Sequence, residues 1–332
     1  KSQWVAYPFV IYTGETSLTL GGFALNTRRP PNQDFNKAPD SFIANTMLSV
    51  KKNLLSFIQY EKVLWDGKLI VTPFISYRNW PSDYYGISSD NSEDYLSKYN
   101  MESLELRNTV KYELFPKVYA QVGLRYNQTN NYQFEEGSYM AQNITSQLRG
   151  STIAGYSAAI SYDSRNNTFY PTHGLYANYS VAYNYDQKND FFDYIAHQAD
   201  FRFYQKINDK SVLGFQTKIK IVNDEAPFYE QSLLGEELRA YPSNRFIDKD
   251  MLVLKTEYRI FPWEHSWRKR MGFVTFVEAG QVVPQISDYD LNTLKYSVGA
   301  GLRFSIIPDE RLNFRFDIAK GSDSVQVVFI AQ

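Results

Sequence analysis

Few residues in this chain could do acid–base or nucleophilic chemistry. Its 332 residues include three histidines, His173, His197 and His265, and no cysteine. A hydrolase would need a histidine within reach of a hydroxyl or carboxylate. His173 and His265 fall in expected turns, and His197 on an expected strand with no nucleophile signature beside it. Without cysteine there is no disulfide framework and no thiolate zinc site. Metal-ligand spacings, phosphate-cradling glycine loops and cofactor motifs are also missing, so the expectation is no enzyme, no catalytic residue, no metal and no cofactor.

The remaining charge chemistry sits at every second position. Glu105, Arg107, Lys111 and Glu113 interleave with apolar residues, as do Lys218 and Lys220, and then Lys255, Glu257 and Arg259. Arg125, Asp200, Arg202, Glu278, Arg303, Arg315 and Asp317 belong to the same set. Such charges either solvate a wide cavity through cross-strand pairs or grip a loop or a passing substrate. Formal net charge is -1, from 35 basic and 36 acidic residues, which leaves no basic excess for nucleic acid.

The elements that carry these charges read as strands. From Val118 to Tyr126 the set Val118, Ala120, Val122, Leu124 and Tyr126 alternates with Tyr119, Gln121, Gly123 and Arg125. A helix could not place those two sets on opposite faces. The pattern recurs at 213–221 and 294–306, and turn residues such as Asp66-Gly67 and Asn208-Asp209-Lys210 divide the runs.

Cutting at the turns gives sixteen strands, at about 3–13, 16–27, 41–52, 54–65, 68–79, 100–114, 117–128, 150–163, 174–186, 191–207, 210–223, 250–262, 271–282, 292–307, 310–319 and 324–332. Most exceed the length of ordinary globular strands and match a tilted bilayer crossing of about 9 to 11 residues. The long connections 80–99, 129–149 and 224–249 all fall on one rim. Trp4, Tyr7, Trp65, Tyr77, Trp80, Tyr112, Phe115, Tyr126, Tyr162 and Trp263 lie near strand ends, as an interfacial girdle requires.

The expected fold is therefore all-β: residues 1–332 form a 16-stranded antiparallel transmembrane β-barrel of the bacterial outer membrane, in contact with the bilayer and lipopolysaccharide. Pro8, inside the first strand, cannot donate a ladder hydrogen bond, and the last strand is short. These features hint at a weak seam where the first and last strands meet, marked by Val5, Pro8, Val327 and Phe329, which a cysteine cross-link from Val5 to Val327 would lock; against it, Pro73 lies within another expected strand, and a proline facing a bulge is structurally neutral.

Four motifs carry a family resemblance. Asp163-Ser164-Arg165-Asn166-Asn167-Thr168-Phe169-Tyr170-Pro171-Thr172-His173-Gly174 resembles the hairpin motif D-S-R-N-N-x-F-x-P-x-x-G of the BamA/TamA superfamily of outer-membrane assembly barrels, the bacterial surface antigen family. Leu238-Arg239-Ala240-Tyr241 is similar to that family's V-R-G-F/Y motif of the sixth surface loop. Phe276-Val277-Glu278-Ala279-Gly280 resembles its F-x-D-x-G strand, and Gly299-Ala300-Gly301-Leu302-Arg303-Phe304 its G-x-G-x-R-W/F strand. Together they cover the chain from about residue 150; the first half matches only loosely.

The resemblance implies that the sixth loop folds into the lumen and that Arg239 pairs there with Glu278. Ala240 stands where the motif has glycine, and Glu278 where it has aspartate. Asp163, Arg165, Pro171 and Gly174 would shape the hairpin, with Leu238, Tyr241, Gly280, Gly299, Gly301 and Arg303 around the luminal contact. With the first strand expected to start within the first few residues, no POTRA domain is expected within this sequence, which leaves open whether one precedes it in the natural protein.

The expected function is assembly, insertion or translocation of an outer-membrane or exported protein, or a lipid, through the seam. The alternative is a passive porin-like channel, in which the acidic loop carrying Asp83, Asp90, Glu93 and Asp94 folds inward against luminal arginines.

Overall fold

Two-residue alternation makes one side of each strand apolar and the other polar, and sixteen such strands pair into a single antiparallel sheet in chain order. The computed structural model describes residues 2–13, 16–29, 38–144, 147–148, 150–188, 191–307 and 312–331.

The strands begin with β1 (Ser2–Thr13), β2 (Ser17–Arg28), β3 (Asp40–Ser49), β4 (Leu54–Leu64), β5 (Leu69–Tyr84) and β6 (Ser97–Phe115). Next come β7 (Val118–Phe134), β8 (Ser151–Asp163), β9 (Gly174–Asp186), β10 (Asp193–Asn208) and β11 (Ser211–Glu225). Two short strands, β12 (Ser232–Leu233) and β13 (Ile247–Asp248), pair with each other outside the main sheet. The sheet resumes with β14 (Asp250–Ile260), β15 (Met271–Val283), β16 (Lys295–Ile307), β17 (Leu312–Lys320) and β18 (Val325–Ala331).

The sheet curls so that the apolar face looks outward. Val122 is 60% and Leu124 69% exposed on that face, while Arg125 between β6 and β8 turns inward to ion pairs. Trp4, Trp65, Tyr112, Phe115 and Tyr162 are also exposed outward. No helix among the described residues is long and apolar enough to cross a membrane.

Short turns sit on one rim: Lys117, with φ +69°, closes the β6–β7 hairpin, and Trp65 and Asp66, with φ +51° and +53°, close β4–β5. The opposite rim carries 85–96, 135–150 and the β11–β14 connection 226–249, the sixth connection on that side. β5, β6 and β7 run further toward this rim than alternation indicates, reaching Tyr84, starting at Ser97 and reaching Phe134. β3 stops earlier than expected, at Ser49, because Lys52 adopts φ +66° in the turn that follows.

Among the described residues no hydrogen-bonded pairing joins β1 to β18. Side chains bring the two ends of the sheet together instead. The Tyr7 ring on β1 lies 5.2 Å from that of Phe314 on β17, edge to face. Val5, Phe23, Ile43 and Ile306 pack against Leu25, which is 1% exposed.

Two expectations near this edge change. Tyr7 is a luminal residue, not part of the interfacial girdle, and Trp80 likewise lines an internal cavity. Val5 packs inward while Val327 is 59% exposed on the outer face, so cysteines at those positions would point apart. The face of β1 was ambiguous because both of its sides are apolar. Pro8 pairs with Gly22 of β2 and is exposed. Phe329 has its backbone opposite Phe316 in β18, and its side chain lies outside the described residues.

Candidate functional site: a strap across the lumen

The connection 226–249 does not stand out from the rim but crosses the barrel interior as a strap. Its apolar residues explain part of this. Leu234, Leu238, Ala240, Tyr241 and Phe246 join Met251 and Val253 of β14, Val274, Phe276 and Val282 of β15 and Ala319 of β17 in one buried cluster. Gly280 is needed for the fit, since a Cβ there would press on Leu234 and on the Leu252 carbonyl.

At the centre of the strap is Arg239. Its Nε lies 3.0 Å from Glu278 Oε1, its Nη2 2.5 Å from Glu257 Oε2 and its Nη1 3.1 Å from Asp317 Oδ2. The Arg239 backbone N–H also donates to Glu278 Oε2 at 2.9 Å. Arg259 and Arg303 both reach Glu257, Arg303 also pairs with Asp317, and Arg315 Nε lies 2.9 Å from Asp317 Oδ2. Four guanidiniums thus share three carboxylates from β14, β15 and β17. Arg239 Cζ stands 3.9 Å over the Phe276 ring, a cation–π contact.

Small residues make this packing possible. Gly299 faces Phe276 across the β15–β16 ladder, where a Cβ would strike the ring, and Gly301 leaves space for the Asp317 carboxylate. Ala240, fully buried, does not appear among the residues with positive φ, so the loop does not require glycine there. Tyr241 Oη donates to the Tyr296 carbonyl at 3.1 Å and accepts from the Ser322 N–H at 3.1 Å.

Two further acids fasten the strap, and neither carries a sequence signal. Glu230 forms a two-pronged pair with Arg125 of β7 at 2.7 and 2.6 Å and accepts from Asn127 at 3.1 Å. Glu237 bridges Lys218 of β11 and Lys255 of β14, each at 2.6 Å. Burial alone would raise the Glu237 carboxyl; the two ammoniums outweigh it and hold it down at about 2. Lys220 Nζ donates to the carbonyls of Glu230 and Gln231.

The strap packs on β14, β15 and β17, with a cavity of about 210 Å³ beside Arg239, Glu257 and Arg315, and leaves a larger one of about 650 Å³ against the wall of β4 to β7, lined by Phe74, Arg78, Trp80 and Glu105 and by Glu236 of the strap. The acidic connection 85–96 packs on the strap's return, where Ser88 bridges to Ile247 and the Asn91 carbonyl accepts from Arg245 at 3.0 Å, while the Asp90 and Asp94 side chains are exposed. The Glu93 side chain lies outside the described residues.

The hairpin motif sits at the opposite mouth. Asp163 and Arg165 pair at 2.7 Å, Gly174 has φ +108° with Ser164 O where a Cβ would be, and the Pro171 carbonyl accepts from Arg259 at 3.4 Å. His173 and His265 are exposed, and His197 Nδ1 meets the Tyr179 hydroxyl at 2.8 Å.

A model of the Omp85 superfamily domain matches residues 41–328. The chain belongs to the Omp85 superfamily. It is thus a bacterial outer-membrane β-barrel of a family of non-enzymatic barrels for protein assembly and transport, in agreement with the motif resemblance.

Solved structures share this Omp85 barrel. BamA from Haemophilus ducreyi lacking POTRA domains 1–3 is 16% identical, with a TM-score of 0.61 over 99% of this chain and 69% of that one. CdiB from Escherichia coli is 13% identical, with a TM-score of 0.62 over 100% and 62%, and CdiB from Acinetobacter baumannii 10%, with 0.58 over 99% and 58%. The chain therefore spans less than two thirds of either CdiB chain. No curated protein matches it.

Proposed function

We propose that this Omp85 barrel inserts or exports polypeptide at the outer membrane, using the free edges of β1 and β18 as the working seam and the strap as the stopper of the lumen. The observation that carries the reading is the strap itself. Ion pairs to β7, β11, β14, β15 and β17 hold it across the lumen, an arrangement that supports a plugged barrel over a steady pore.

An unpaired edge offers backbone N–H and C=O groups to an incoming strand. Polypeptide is favoured over lipid as cargo because an acyl chain has no donor or acceptor to pair with them. Lipopolysaccharide would surround the long-loop rim as solvent, not as cargo.

Planar-bilayer recording tests this. Small, flickering events are expected, and a large steady conductance would support the porin alternative. Locking the seam with a short bifunctional thiol reagent between cysteines at Tyr7 and Phe314, whose rings lie 5.2 Å apart, should abolish insertion of a client barrel into vesicles; full activity in the locked protein would remove the seam from the mechanism.

A further inference from the structure

The connection between β8 and β9, residues 164–173, is ten residues long where its neighbours on the same rim, 116–117 and 209–210, have two. Its length is not spent on a loose loop. Asn167 Oδ1 accepts from the N–H groups of Phe169 and Tyr170 at 2.9 and 2.7 Å, and Asn166 Oδ1 from those of Thr172 and His173 at 2.9 and 3.2 Å. Side-chain amides that replace backbone partners in this way fix a turn's shape.

The shape aims two adjacent residues at two separate places. Phe169 packs against Leu25 of β2, in the same cluster as Val5 of β1 and Ile306 of β16. The bulge between Ser305 and Ile307 lies beside that contact. Because β8 and β9 are the eighth and ninth of sixteen strands, the turn comes from the wall opposite the free edges and spans the mouth to reach them. Tyr170, 7% exposed, lies under the Arg259 guanidinium, 4.5 Å from Cζ to ring centroid, and edge-on to Phe261 at 5.7 Å. Arg259 in turn holds Glu257, and Glu257 holds Arg239 of the strap.

We infer that the 164–173 turn is a latch that couples the seam to the strap, with Phe169 and Tyr170 as its positioning residues: Phe169 clamps the Leu25 cluster that joins β1 and β2 to the end of β16, and Tyr170 braces Arg259 and through it the strap anchor. A rigid turn cannot release Phe169 without moving Tyr170, so opening the edge loosens the strap and the reverse. This explains why an asparagine pair and the Phe-Tyr-Pro sequence occur together. Its purpose rests on the transport reading above, but its test needs no substrate, so the two can fail separately.

The chain has no cysteine, so single introduced thiols report cleanly. Ser232→Cys, fully buried in the strap, reports strap release; Ser305→Cys, 9% exposed beside Ile306, reports the seam. In the full chain in vesicles, Phe169→Ala should raise labelling at both positions by about tenfold. Arg239→Gln should likewise raise labelling at the seam, because coupling between two sites runs in both directions. Tyr170→Leu should leave the Phe169→Ala effect confined to the seam, whereas Tyr170→Phe keeps the ring under Arg259 and keeps the coupling. Thr168→Ala, in the same turn but exposed, is the control. Labelling that rises only at the nearer reporter in each variant overturns the latch, as does a Thr168→Ala effect equal to that of Phe169→Ala. Should Phe169→Ala fail to fold, the Tyr170→Leu and Tyr170→Phe pair on the Arg239→Gln background decides the same question.

Discussion

Gly301 on β16 and Asp317 on β17 face each other in the ladder, and a Cβ on the glycine would fall within the Asp317 carboxylate. Asp317 is fully buried and serves Arg239, Arg303 and Arg315 together, so its position depends on the hydrogen at Gly301. Gly301→Ala should displace the carboxylate and lower stability by about 1 to 3 kcal/mol, the usual cost of overpacking a tight site. Urea unfolding of the folded barrel in detergent, followed by its gel-mobility shift, measures this; unchanged stability would show that Asp317 has room to move.

Arg239 has three acid partners, which changes what a charge swap with Glu278 can do. Arg239→Ala leaves Glu257, Glu278 and Asp317 close together with one cation fewer, and should cost about 3 to 5 kcal/mol. In the Arg239→Glu, Glu278→Arg double variant the new carboxylate still faces Glu257 and Asp317. The swap should therefore recover less than half of the lost stability. Full recovery would mean that Glu278 alone holds the strap.

Much of this architecture was legible in the sequence, because lipid outside and water inside impose a strict two-residue period, as at Val118–Tyr126. Counting turns was enough to number 226–249 as the sixth long-rim connection. The partners of Arg239 were harder. Glu257 and Asp317 showed as luminal, but they lie on strands that come level only through the stagger of the curled sheet, which no local pattern encodes. Glu230 and Glu237 sit in a connection without periodicity, so nothing marked them as anchors. β1 failed for a different reason: Val5, Tyr7 and Phe9 are as apolar as the residues they alternate with, so the pattern lost its sign.

Adjacent strap acids should respond oppositely to pH. Glu237, held at about 2 by Lys218 and Lys255 against the effect of burial, stabilises the strap at neutral pH; that contribution is complete above about 4.5 and fades as pH falls toward 2. The Glu236 side chain is exposed to the cavity, yet the protein around it still removes enough water to push its carboxyl up, with Lys220 opposing the rise and Glu237 adding to it. Its ionised form is therefore a burden at neutral pH, relieved on protonation. Glu237→Gln should speed labelling of Ser232→Cys at pH 7 and flatten its rise in acid, while Glu236→Gln should slow it at pH 7. Equal effects of the two substitutions would refute the opposed roles.

Glu230 controls the other end of the strap, where it faces the open cavity. Removing it by Glu230→Ala leaves Arg125 with Glu105, 3.1 Å away, so the cation is not orphaned, and the cost should be about 2 to 3 kcal/mol, below that of Arg239→Ala. The two variants should also differ in conductance. Losing Glu230 frees the strap along β7, beside the 650 Å³ cavity, and widens a passage that already exists. Losing Arg239 loosens a face that borders a smaller cavity, of about 210 Å³, beside β14 and β17. Single-channel recording should therefore show larger open events in Glu230→Ala than in Arg239→Ala, despite the smaller loss of stability. The reverse order would place the residual ion path on the β14–β17 side.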